Sequence, residues 1–487
     1  MLKILIVTGE LGQLRYYEEV AKRLKDQNCH IGFCCDRDDP GVAEAISKTA
    51  KKYDMDFYHH KESSDNFTYN PSPIKSLIDK YTEFKLFNKS KQIRALSANI
   101  SKKKYNLFRN IHFSRLLAAY ELLKNFKPNV IIIGEDGIAA DFILISAAKK
   151  LFIPVIVLPY GLADSSYLIS KGVEEKHKAG ELLTTADPAV QLVKKLHPKW
   201  IKKTHYGEAI YLPPEFILAI ESLKIKMPYP WCLQGGIADI ILLESEVMYQ
   251  RYLSEGIKNE KMKLTGSIYC DVMNDVITND KAIKQAFEHY QRIDEHQLKI
   301  LVCIPPSDHD GWKDKCDYKS VADFIAVLLN LFNQYKNIEV VYSLHPRMKE
   351  SDRKEILSLG IAEQPNFPLY EIPKCDILLA CGTSLARWAL AARKIVVNFD
   401  LYKFGTNDFP HIPAHIQTTE IEELNRLIQK FSENPNCFRE LLLNSKSELN
   451  KMGTINGQAT LSIFNAIQEQ IQIHRSKKVK MLRARLS

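Results

Sequence analysis

Short continuous apolar runs recur along the chain, and amphipathic stretches separate many of them. Ile4–Val7, Ile31–Cys35, Val130–Ile133, Val155–Leu158 and Ile240–Leu243 form a first set of strand-length runs. Ile300–Ile304, Val340–Ser343, Ile377–Ala380, Ile395–Phe399 and Ala414–Gln417 form a second. Runs that are apolar throughout, rather than at alternate positions, suit parallel strands covered on both faces. Tyr16–Lys25, Ile143–Lys150, Val321–Tyr335 and Leu385–Arg393 carry helical spacing between such runs. Strand–helix alternation of this kind predicts an α/β fold with parallel sheets.

The two sets of strands predict two Rossmann-like halves. Residues 268–298 are polar and helical in pattern, and the domain junction is expected there. The expected organisation is a first domain over 1–267, a second over 268–455, and a helix with a basic tail over 456–487. Residues 160–236 are less regular and rich in proline and lysine, so they are expected to be an insertion or long connection in the first domain, with a lid as one reading.

Composition adds limits. The chain has 487 residues, 45% hydrophobic and 26% charged, which excludes disordered and collagen-like classes. No apolar run approaches the ~18 residues of a membrane-spanning helix, and the first run is too short for a signal peptide. A cytoplasmic location is the expectation. None of the ten cysteines forms a CxxC pair or joins a histidine at zinc-finger spacing, so buried reduced thiols are expected.

The net charge of +9 is uneven. Residues 81–127 hold eleven Lys/Arg against two Glu, and 473–487 hold six with no acid. The remainder is slightly acidic, which argues against nucleic acid as the general partner. Two local patches point instead to an anionic surface, with the inner face of a membrane as one expectation.

In open α/β sheets, ligands bind beyond the carboxyl ends of strands. No Walker loop and no GxGxxG is present. The first strand is followed by Thr8-Gly9-Glu10-Leu11-Gly12, a tight strand-to-helix turn that is either purely structural or a ligand loop around Gly9. After Ile133 comes Gly134-Glu135-Asp136-Gly137. Two adjacent carboxylates at a strand end supply either a base or a helix cap. After Ser343 comes Leu344-His345-Pro346-Arg347, where a titratable ring and a guanidinium fork suit a phosphate. After Ala380 comes Cys381-Gly382-Thr383-Ser384, small residues that cap a helix or hold an anion at its N-terminus. Phosphate-type motifs in one half and a carboxylate motif in the other predict group transfer in a cleft between the halves.

These motifs resemble the GT-B glycosyltransferases of bacterial surface-polysaccharide synthesis. Ala238–Glu246 and Lys263–Ser267 resemble the linker region of that superfamily, and Lys299–Asp400 matches it best. Within it, the acidic, His-Pro and Ser/Thr motifs are similar to those of CMP-sialic acid and CMP-Kdo transferases. The resemblance implies two Rossmann-like domains facing across a cleft. It implies Asp136 as general base, with Glu135, Gly137 and Gly9 beside it. It also implies His345, with Pro346 and Arg347, on the departing CMP phosphate, and Gly382, Thr383 and Ser384 as phosphate contacts. The activity implied is an inverting transfer of an ulosonic acid from a CMP-linked donor to a glycan or glycolipid acceptor. No cofactor or essential metal is expected, and Asp36-Arg37-Asp38 reads as a solvated acidic turn. The alternatives are a UDP-sugar 2-epimerase, a CDP-glycerol-type transferase, and a non-catalytic nucleotide- or glycan-binding protein.

Overall fold

Strand β1 (Leu2–Thr8) is buried from Ile4 onward and sits inside its sheet, which is why its sequence is apolar on both faces. A computed structural model describes residues 1–37, 39–60, 90–138, 140–162, 165–306, 316–345, 347–405 and 407–486. The chain divides into two compact units. The first comprises Met1–Leu243, Met248–Leu264 and Leu461–Ser487; the second comprises Glu244–Val247 and Thr265–Thr460.

In the first unit β1 is followed by β2 (Cys29–Cys35), β3 (Asp56–His59), β4 (Val130–Ile133) and β5 (Val155–Val157). A small antiparallel sheet follows, of β6 (Leu183–Thr184), β7 (Ile201–Thr204) and β8 (Gly207–Ile210). Then come β9 (Ile240–Leu243) and β10 (Met262–Leu264). The main sheet has the order β10-β9-β5-β4-β1-β2-β3, and every pairing is parallel. Chain order reverses between β1 and β4, so the crevice at a topological switch point lies beyond those two strands. Ile131, Ile133, Val155, Val157, Leu123 and Phe126 lie in one continuous core under the sheet. Burying each large aliphatic side chain contributes roughly 1.5–3 kcal/mol.

The irregular stretch 160–236 is structured. It holds helices Ser165–Lys178, Pro188–Leu196 and Pro214–Ser222 around the small sheet. Val190, Val193, Trp200, Ile210 and Ile217 form its own apolar cluster.

The second unit carries β11 (Leu298–Cys303), β12 (Ile338–Ser343), β13 (Ile377–Ala380), β14 (Ile395–Phe399) and β15 (His415–Thr418). Their order is β12-β11-β13-β14-β15, again all parallel. Its switch point lies between β11 and β13. The last helix, Ala459–Leu486, begins in this unit's residues and belongs from Leu461 onward to the first. All ten cysteines are free thiols, and all but Cys316 and Cys437 are buried. Among the described residues no helix is long and apolar enough to cross a membrane.

Candidate functional site

The switch-point crevice of the first unit holds a small, partly open cavity of about 10 Å³, room for about one water molecule. Val7 and Gly9 line it from the end of β1, Asp36 and Arg37 from β2, and Ile133, Gly134 and Glu135 from β4. Gln13 and Ala140 complete the lining. Whole-ligand pockets run ~300–1,000 Å³, so this cavity marks where one small polar group can sit between the strand ends.

The loop after β1 is shaped to press against the loop after β2. A Cβ added at Gly9 would collide with Asp36 Oδ1 and Arg37 Cγ, so no side chain fits. Gln13 Oε1 holds this turn by accepting from the Thr8 hydroxyl at 3.1 Å and the Gly9 N–H at 3.4 Å. Arg37 is fixed through its backbone, whose carbonyl accepts from His59 Nε2 at 2.7 Å. Tyr17 donates to the Leu158 carbonyl at 2.9 Å, and Tyr160 donates to Glu10 at 3.2 Å.

Glu135 is the titratable group that this arrangement perturbs towards neutrality. Burial pushes its carboxyl up to about 7, Glu10 and Asp36 add to the rise, and the Arg37 guanidinium opposes it. Burial and the nearby Asp141 carboxylate push Asp36 up to about 6. Two half-buried carboxyls that titrate near neutral pH can take up or hold a proton at working pH.

Behind the pocket wall lies a buried charge network. Asp141 follows the lining residue Ala140 and caps helix Phe142–Lys150, accepting from the Leu144 N–H at 3.0 Å. It pairs with His60 Nδ1, and Arg115 lies 3.5 Å from it. Asp141 is held well below the usual carboxylate range by His60 and Arg115 against the opposing effect of burial. His60 is raised by Asp141, again against burial.

Asp136 sits elsewhere. It is fully buried, and its Oδ2 accepts from the Ala238 N–H at 2.7 Å. Burial raises its carboxyl while the backbone N–H groups of 235–238 oppose the rise. Gly137 and Gly235 let the two backbones meet: a Cβ at Gly137 would collide with the Leu233 carbonyl, and one at Gly235 with the Asp136 carbonyl. Asp136 therefore ties the 235–238 loop to the end of β4, and the geometry does not bring it to the pocket as the expected base. Gly137 likewise serves packing. Of the residues expected around the base, Gly9 and Glu135 line the pocket. Asp36 and Arg37, expected as part of a solvated turn, are half-buried in it. The clue was available, since Asp36 directly follows an apolar strand. Asp38 lies outside the described residues.

In the second unit His345 follows β12 and Gly382 follows β13, the two neighbours of β11. His345 Nδ1 accepts from the Arg347 N–H at 3.1 Å. In a neutral ring that places the proton on Nε2, which is then a donor. Arg347 is exposed and His345 half-buried; Pro346 lies outside the described residues. Gly382 turns with φ +72°, and its N–H donates to Asn398 Oδ1 at 3.2 Å. Thr383 Oγ1 accepts from the Leu385 N–H at 3.3 Å. The helix expected over Leu385–Arg393 spans only Ala386–Ala391, without a side-chain cap. Its dipole is short, so an anion here would rely on the loop Gly382–Ser384 rather than on the helix. Arg387 behind the loop forms a buried ion pair with Glu244, Nε to Oε1 at 3.1 Å. Among the described residues no group of three His, Cys, Asp or Glu is placed to hold a metal ion.

No family model matches the chain, and no curated protein matches it in sequence. Its structure is similar to a UDP-GlcNAc 2-epimerase from Neisseria meningitidis bound to UDP-GlcNAc, at 15% identity and TM-score 0.50, over 96% of this chain and 100% of that one. It is also similar to S. aureus MnaA in complex with UDP, at 13% identity and TM-score 0.49, over 97% of each chain. CalG4, the calicheamicin glycosyltransferase, is similar at 12% identity and TM-score 0.49, over 97% of this chain and 98% of that one. The first likeness spans both units and shows the fold, the GT-B architecture of two parallel-sheet α/β domains.

Proposed function

We propose that the chain is a nucleotide-sugar-dependent glycosyltransferase with Glu135 as its general base. The observation that supports this most is Glu135 itself, a strand-end carboxyl lining a pocket at a sheet's switch point and poised at about 7. In the proposed reaction Glu135 takes the proton of an acceptor hydroxyl. The acceptor oxygen forms its bond to the anomeric carbon as that carbon's bond to the phosphate oxygen breaks. The electron pair leaves with the nucleotide, in one displacement that inverts the centre. His345 donates from Nε2 to the departing phosphate, and Arg347 with the Gly382–Ser384 loop balances its charge. Burial and Glu10 raise the Glu135 carboxyl, and Arg37 opposes them. The reading uses no metal and no cofactor.

The first donor to test is a CMP-linked ulosonic acid, on the resemblance carried by His345-Pro346 and Thr383-Ser384, with a glycan or glycolipid acceptor. The second reading is 2-epimerisation of a UDP-sugar, favoured by the likeness to an epimerase bound to UDP-GlcNAc. Thermal unfolding with CMP, CDP, UMP, UDP and GDP separates the two. Ligand at 100 times its dissociation constant stabilises by about 2.7 kcal/mol, enough to move a melting curve. A shift with CMP alone supports the ulosonic-acid donor. A shift with UDP moves the assignment to UDP-sugars, and acceptor-free conversion of UDP-GlcNAc then identifies the epimerase. No shift with any nucleotide removes the phosphate role of His345 and Thr383.

A further inference from the structure

The first unit carries a second chemical feature, away from the pocket and at the opposite ends of its strands. Asp239 precedes β9, and its Oδ2 accepts from the Val155 N–H at the start of β5 at 2.9 Å. Cations gather around this single carboxylate. Lys149 Nζ lies 2.7 Å from Asp239 Oδ1, and buried His474 places Nε2 3.2 Å from the same oxygen. Lys261 Nζ donates to the neighbouring Ala238 carbonyl at 2.6 Å. The Asp239 charge acts on Lys226 and the Lys477 charge on Lys261, and Lys477 is exposed. The ammonium groups of Lys226 and Lys261 are lowered, first by burial and then by Lys149. Asp239 and the buried Asp136 thus face Lys149, Lys226, Lys261 and Lys477, and the cluster keeps an excess of positive charge.

The terminal helix extends this surface. Up to His474 its apolar side chains Ile463, Ile467 and Ile471 are buried on the first unit. From Arg475 to Lys480 every residue is exposed. Its one acid, Glu469, pairs with Lys263, and no acid follows.

We propose that the Asp239 lysine cluster and the exposed end of the terminal helix form one surface that docks on an anionic phospholipid bilayer. The exposed cations Arg475, Lys477, Lys478 and Lys480 suit lipid phosphates, and exposed Val479 among them can enter the headgroup boundary. Nucleic acid fits less well. No Phe, Tyr or Trp follows Phe464, so the helix offers no stacking platform for bases. The inference does not depend on the proposed reaction.

The test is co-sedimentation of the full chain with vesicles of phosphatidylcholine alone and of a mixture rich in phosphatidylglycerol. Binding is expected to the anionic vesicles only, and to weaken as salt rises. Lys226→Gln in the cluster, and separately Lys477→Gln/Lys478→Gln/Lys480→Gln in the helix, should each weaken it. The expected loss is about five-fold per charge removed. Unchanged melting curves confirm that these exposed substitutions leave the fold intact. If only the helix variant loses binding, the shared surface is wrong. If a DNA duplex binds more tightly than the anionic vesicles at the same salt, the partner is nucleic acid. Binding to neither overturns the proposal.

Discussion

Glu135 and Asp136 are adjacent in sequence and opposite in environment, and their substitutions should behave oppositely. Glu135→Gln is expected to lower turnover by ~10²–10⁴-fold, the usual contribution of a positioned base. It should also stabilise the protein at alkaline pH. A carboxyl whose folded pKa is about 7 binds its proton more tightly in the folded than in the unfolded state, so folding loses stability as pH rises from ~4.5 to 7. At pH 8 the Gln variant should be the more stable by on the order of 2–3 kcal/mol, and below pH 4.5 the difference should vanish. The same ionisation predicts an acid limb in the pH–rate profile near 7. Arg37→Ala should move that limb upward, because it removes a positive charge that favours the carboxylate. Asp136→Asn keeps an oxygen for the Ala238 N–H but sets its NH2 towards the other N–H groups of 235–238, so it should retain turnover and most of its melting temperature. Asp136→Ala leaves that donor unmet and should lose ~1–3 kcal/mol of stability. A collapse of turnover in Asp136→Asn at an unchanged melting temperature would return the base role to Asp136. The residues alone marked the acidic pair, and the resemblance placed the base on Asp136 rather than on Glu135. The choice depends on Gly137 and Gly235 admitting a backbone contact between segments about a hundred residues apart.

At the scale of elements, what could be read ahead of the structure was what burial makes visible. Val130–Ile133, Ile377–Ala380 and Ile395–Phe399 are strands with the predicted bounds, because strands covered on both faces must be apolar throughout. Strand β3 carries no such signal: Asp56-Phe57-Tyr58-His59 sits at the sheet edge, half-buried at every position, and has no apolar run. It nonetheless leads into His60, which reaches Asp141 behind the pocket. Asp141→Asn keeps the cap on helix Phe142–Lys150 but leaves the His60 and Arg115 charges uncompensated. The expected cost is about 3–5 kcal/mol, as for one partner of a buried pair. In the parent protein the Asp141 contribution is lost as pH falls below about 4, since its folded pKa is depressed. The His60 contribution is present below about 6.5 and is lost as pH rises through its raised folded value. Urea unfolding of the first unit should therefore show the largest gap between parent and variant from about pH 4 to 6.5. A gap that is flat with pH would mean that packing, not charge, holds the network.

For the whole molecule, the two sheets were legible and the path of the chain between the units was not. The amphipathic spacing of Ile463, Ile467 and Ile471 announces a helix but does not say which core receives it. The structure gives those residues to the first unit, although the helix starts among residues of the second. Asp271 fixes the start. It is 1% exposed, and its carboxylate accepts from the Ala459 N–H at 3.0 Å, the Thr460 N–H at 2.7 Å and the Thr460 hydroxyl at 2.6 Å. A carboxylate on the first turn of a 28-residue helix both caps it and offsets its dipole. The preceding segment 453–458 carries Gly453 and Gly457, the latter with φ +71°, so little besides this cap defines where the helix begins. Asp271→Ala should cost ~1–2 kcal/mol and fray that first turn. Limited proteolysis should then cut between 453 and 460 faster than in the parent, releasing a C-terminal fragment that begins there. The rate of that cut, compared at equal global stability, separates a local cap from a general loss of folding. If Asp271→Ala speeds cleavage everywhere alike, the carboxylate supports the second unit as a whole. If cleavage rises only at 453–460, Asp271 is the clamp at which the chain returns to the first unit.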